Sequence, residues 1–150
     1  MGHTFTNILI HATFSTKGRT PWIDESLRQK LHAYMNGTMR GLNGPALALN
    51  GIADHIHILF RLPPTADLSG YMRDLKSNAS RWVHENYPDR ADFAWQEGYA
   101  AFSVSESQVP AVRAYIDNQE AHHRKTTFKE ELIALLEKHG LSYDERFLFD

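Results

Sequence analysis

A chain of 150 residues with 42% hydrophobic and 23% charged side chains has the composition of one compact globular domain, which excludes wholesale disorder. The absence of cysteine excludes a disulfide scaffold, a thiolate zinc site and a cysteine nucleophile, and no apolar run approaches the ~20 residues of a membrane span. The net charge of −2 excludes a uniformly basic coat, but it conceals an asymmetry: nine basic and five acidic residues in 1–81 (+4) against seven and thirteen in 82–150 (−6). A soluble cytoplasmic protein with no membrane partner is expected.

Alternation of Ile8, Ile10, Ala12 and Phe14 predicts a first strand, and Ser15–Pro21 reads as a basic loop. Asp24 is placed to cap a helix carrying Leu27, Leu31, Tyr34, Met35 and Leu42 at helical spacing, broken by Asn43-Gly44-Pro45. Segments 46–53 and 55–62 form a strand pair joined near Gly51–Asp54. A second helix is predicted over 67–86, with Leu68, Met72, Leu75, Ala79 and Val83 on one stripe. Tyr99–Val104 is a short strand. Ser105 and Gln108 have capping-box spacing ahead of a helix to about His122, and Thr127 and Glu130 repeat it before a last helix ending near Gly140.

The first six elements have the βαββαβ order of an α+β, ferredoxin-like (RRM-like) sandwich: an antiparallel sheet with helices on one face. The whole of 1–150 is expected to be one domain. Residues 1–104 would form the ferredoxin-like core, and 105–150 a late helix bearing Tyr115 and a C-terminal helix.

Two local patterns carry chemistry. In His55-Ile56-His57 a strand would project both imidazoles from one face, about 6–7 Å apart, while Ile56 anchors the other face. That spacing suits convergence on one cation; two satisfied surface histidines give the same tripeptide. Tyr115 and Gln119 stand four apart on a helix and so share a face. A tyrosine can attack phosphorus when a metal polarises the phosphate, and Gln119 could lend a third ligand oxygen. An amphipathic helix with an aromatic at its edge is the simpler alternative.

Taken together, and with His11-Ala12-Thr13-Phe14-Ser15-Thr16-Lys17, Leu75-Lys76-Ser77, Trp95-Gln96-Glu97-Gly98-Tyr99 and Ala101–Ser105 in matching order, these motifs resemble the HUH single-tyrosine transposases. The likeness is to the insertion-sequence-200-like group and the related REP-associated tyrosine transposases, along most of the chain.

The resemblance implies that His55, His57 and Gln119 hold one divalent ion, Mg2+ or Mn2+. Tyr115 would attack single-stranded DNA, leaving a 5′-phosphotyrosine and a free 3′-hydroxyl, at hairpin ends of an insertion sequence. Two histidines are softer than the all-oxygen set magnesium prefers, so manganese is the expected better activator. A homodimer with a composite site, in which each subunit's tyrosine helix completes its partner's histidine pair, is also implied. Lys17, Arg19, Arg73, Lys76 and Arg81 would meet phosphates, and Asp54 would orient a ligand imidazole. Tyr71, Trp82 and Trp95 are candidates for base stacking, with core packing the expected role of both tryptophans. His122 and His123 could be extra ligands or phosphate contacts, although a helix C-terminus favours histidine in any case; His3, His11, His32, His84 and His139 are assigned structural or surface roles. The alternative in another class is a catalytically silent or domesticated module that binds single-stranded nucleic-acid hairpins.

Overall fold

The computed structural model describes residues 2–150. Strand β1 (Leu9–Ser15) is followed by helix α1 (Glu25–Gly41), the hairpin β2 (Ala46–Ile52) and β3 (His55–Arg61), helix α2 (Leu68–Asn86) and strand β4 (Ala100–Val104). Helices α3 (Val109–Asp117), α4 (Gln119–His122) and α5 (Phe128–Lys138) complete the chain. The four strands form one antiparallel sheet in the order β2-β3-β1-β4, the ferredoxin-like arrangement expected from the element order.

The period-two pattern sorts residues between two layers. Ile10, Ala12 and Phe14 of β1 and Ile56, Ile58 and Phe60 of β3 face α1 and α2, building the main core with Leu27, Leu31, Met72 and Leu75. Ile8 lies outside β1 and is 47% exposed, because the strand begins one residue later. Every residue of β1 is buried, so the second face is covered as well. There α3 packs Ile116 on Ala48 and Leu59, and α5 packs Phe128, Leu132 and Leu136 on Phe102. The C-terminal helices are thus a third layer.

Local signals explain most boundaries. Asp24 caps α1 by accepting from Leu27 N, and Asp67 caps α2 from Gly70 N. Both bonds of the Thr127–Glu130 capping box form. The box expected at Ser105 and Gln108 does not: Glu106–Gln108 is a 3-10 turn with no side-chain cap, and Ser105 Oγ lies against Ser107 Oγ. The single helix expected to reach His122 is divided at Asn118, whose backbone leaves the helical region (φ −98°, ψ 21°). Gly51 is required where β2 meets β3, since a Cβ there would stand 2.1 Å from the His55 carbonyl oxygen.

Candidate active site

Strand β3 turns His55 and His57 toward the C-terminal helices, and both are 0% exposed. Each ring has its Nδ1 held from behind. Asp54 Oδ1 accepts from His55 Nδ1 at 2.7 Å, and His11 Nε2 lies 2.8 Å from His57 Nδ1. His123, which follows α4, has its Nδ1 2.6 Å from the Thr126 carbonyl oxygen. The three Nε2 atoms converge on one side chain, Glu131 of α5. Its Oε1 is 2.8 Å from His57 Nε2, 3.1 Å from His123 Nε2 and 3.4 Å from His55 Nε2.

The helix residues arrive from the same side. Gln119 is 0% exposed; its Oε1 is 3.1 Å from His55 Nε2, and its Nε2 donates to Glu131 Oε2 at 3.2 Å. The half-buried Tyr115 donates its hydroxyl hydrogen to Glu131 Oε2. Asn50 of β2 fixes α3, donating to the carbonyls of Ile116 and Asp117 at 3.1 and 3.2 Å. One chain therefore brings its own Tyr115 and Gln119 to its own histidine pair. His122 Nε2 lies 3.2 Å from Glu131 Oε2 without hydrogen-bond geometry.

Electrostatics separate the titratable groups. Burial resists charge on His55, but the bonds to Asp54 and Glu131 prevail and raise its pKa to about 9. Burial lowers His57 to about 4 against the pull of Glu131, and lowers His11 to about 3. Burial also raises Tyr115, and its bond to the Glu131 carboxylate adds to the rise. Desolvation works against ionisation of Glu131; the bonds from His123, His55 and His57 outweigh it and hold the carboxylate charged.

The donor set fits a divalent cation. One ligand atom from each of His55, His57, His123 and Glu131 lies within 4.8 Å of the others, and the imidazoles are oriented by second groups as metal-bound histidines are.

The basic residues divide. Lys17 and Arg19 are exposed in the turn after β1, which is tied to the hairpin by Thr16 N donating to Asp54 O at 2.9 Å. Arg19 also packs over the Phe149 ring. Arg73 and Arg81 are exposed on α2, in the layer across the sheet from the histidines rather than beside them. Lys76 is buried, and its ammonium donates to the carbonyls of Gln96, Glu97 and Gly98 at 2.7–3.0 Å; it holds that turn, with no donor left for a phosphate. Tyr71 is equally unavailable for base stacking: it is 3% exposed, stacks on Phe60 and donates to Gly44 O.

Sequence reasoning missed Glu131 and His11. Both carried a signal. Glu131 sits on the inward stripe of α5 with Phe128 and Leu132, a position where an unpaired charge is costly. His11 alternates with the core residues of β1 and so shares a face with His57.

Comparison with known proteins shows the family and the fold. The chain is 27% identical over 124 residues to the transposase for insertion sequence element IS200 of Salmonella typhimurium, covering 79% of this chain and 81% of that one. The corresponding Salmonella typhi protein matches equally. The fold is similar to that of a Deinococcus radiodurans R1 protein described as a candidate transposase (TM-score 0.64, 20% identity, 79% of this chain and 96% of that one). It is also similar to a REP-associated tyrosine transposase bound to a REP hairpin (TM-score 0.62, 15% identity, 82% and 72%). With residues 4–119 matching the family described as "Transposase IS200 like", the chain belongs to the IS200-like transposases, a family of DNA-cleaving enzymes.

Proposed function

We propose that this transposase cleaves and rejoins single-stranded DNA through Tyr115, acting on hairpin ends of an insertion sequence. The observation that carries the reading is a tyrosine set among histidines, with the Tyr115 and His57 ring centroids 5.8 Å apart. The Tyr115 oxygen attacks a backbone phosphorus. The Tyr115 O–P bond forms, the P–O3′ bond breaks, and the phenolic proton ends on the released 3′-hydroxyl. Attack by a second 3′-hydroxyl on the 5′-phosphotyrosine reverses the exchange, so rejoining needs no external energy. His55 and His57, with Gln119, would hold Mg2+ or Mn2+, which when bound supplies positive charge against the phosphoryl oxygens.

A cleft of about 530 Å³, lined in part by His11, Ser103, Gln108, Tyr115 and Lys138, gives a strand access to the nucleophile. Lys17 and Arg19, at the His55 end of the sheet, would bind phosphates near the reacting centre; Arg73 and Arg81 would hold a more distant part of the DNA. The hairpin preference draws support from the relative that was solved with one. We read the site as acting within one chain. In a homodimer exchanging tyrosine helices the same two Asn50 bonds would form between subunits, so the composite site implied by the family resemblance keeps the same docking of α3 on β2.

The test is incubation with labelled hairpin DNA and Mn2+, followed by a denaturing gel. A protein–DNA adduct is expected from the wild type and none from Tyr115→Phe, with hairpin binding retained. An adduct that persists in Tyr115→Phe overturns the assignment.

A further inference from the structure

Glu131 lies beyond the family match, on a helix that contributes no part of the histidine or tyrosine motifs, yet it sits at the centre of the site. Its two oxygens face different groups. Oε1 meets the Nε2 atoms of His55, His57 and His123, whereas Oε2 takes the Tyr115 hydroxyl and the Gln119 amide.

The His123 ring is fixed from behind by the Thr126 carbonyl and the His55 ring by the Asp54 carboxylate, so each presents its Nε2 to the site. With His57, three Nε2 atoms are aimed at the single oxygen Oε1, which has only two lone pairs to offer hydrogen bonds. One divalent cation can be shared by His55, His57, His123 and Glu131 Oε1 together, since the four ligand atoms lie within 4.8 Å of one another.

Resting on the cation reading above, we propose that Glu131 is the carboxylate ligand of the site and also ties the nucleophile to it, with Oε1 on the ion and Oε2 holding the Tyr115 hydroxyl. Helix α5 is then part of the catalytic apparatus and not only a cover. Imidazoles combined with a carboxylate select Mn2+ over Mg2+, which prefers an all-oxygen shell.

The experiment is calorimetric titration of the full chain with Mn2+, using wild type, Glu131→Gln, Glu131→Asp and His57→Ala. Glu131→Gln keeps the shape and removes the charge; it is expected to weaken Mn2+ binding at least 10-fold, with Mn2+ still bound more tightly than Mg2+ by the wild type. Glu131→Asp retains the charge but withdraws it by one methylene, and is expected to weaken binding as well, which keeps the test open if the glutamine variant does not fold. Wild-type affinity in either Glu131 variant, with binding lost in His57→Ala, would overturn the proposal and leave Glu131 as a latch over the histidines. Wild-type affinity in His57→Ala would instead overturn the cation reading on which the proposal rests.

Discussion

His11 Nε2 lies 2.8 Å from His57 Nδ1, and both rings are buried. The contact crosses from β1 to β3, where Thr13 is paired with His57 in the register. A neutral His57 that aims its Nε2 lone pair into the site carries its proton on Nδ1 and donates it to His11. His11 is therefore a positioning residue. His11→Ala is expected to weaken Mn2+ binding about 10–100-fold, the usual cost of losing such an outer partner. Calorimetric titration checks this, and an unchanged affinity would show that His57 needs no such partner.

Lys76 and Arg73 should behave differently although both lie on α2. Removing the Lys76 ammonium leaves the Gln96, Glu97 and Gly98 carbonyls short of a donor. Lys76→Met is expected to cost about 1–3 kcal/mol of stability. Arg73→Ala should leave the melting temperature nearly unchanged, weaken DNA binding, and lower the slope of log affinity against log salt by roughly one. Thermal melts and salt titrations of the two variants separate these roles.

Docking of α3 can be tested through Asn50. Asn50→Ala removes both of its bonds to the α3 carbonyls and is expected to cost about 1 kcal/mol while slowing adduct formation. Mixing Tyr115→Phe with His57→Ala protein asks the same question from the other side. A site acting within one chain gives no adduct in the mixture. Restored adduct would show that tyrosine helices are exchanged between subunits.

The metal-free protein should have a stability maximum near pH 6.5. Burial lowers His11 to about 3, and His32 and His57 to about 4, from the ordinary 6.5. Between those values and 6.5 the unfolded chain binds protons that the folded chain refuses, so stability falls as the solution is acidified. His55 has the opposite sign. Its pKa of about 9 makes its contribution full below 6.5 and lost as pH rises through 9. Melting temperatures measured from pH 4 to 8, below the range where the lowered pKa of Lys76 (about 8) acts in the opposite sense, are expected to fall on both sides, and His55→Gln to flatten the alkaline limb. A steady rise across the whole range in the wild type would contradict this balance.

What was legible in the sequence was what neighbours along the chain determine. Alternation in β1 and β3 and the caps at Asp24 and Thr127 placed the elements, and His55-x-His57 announced a shared face. Position in space was harder to read. His11 reaches the site through the β1–β3 register, and Glu131 through the packing of α5 on the sheet, neither of which is a spacing along one element. Lys76 read as a phosphate contact from its charge and its place on the second helix. Its place three residues before Ala79 and four after Met72, on the buried stripe of α2, was the better guide.

The most direct measurement of the central claim is mass spectrometry of the adduct formed with hairpin DNA and Mn2+. Tryptic cleavage should yield the peptide Ala114–Arg124, which contains Tyr115, Gln119, His122 and His123. Fragmentation is expected to locate a 5′-linked nucleotide on the Tyr115 side chain. A nucleotide on His122, on His123 or on any other peptide would contradict the account.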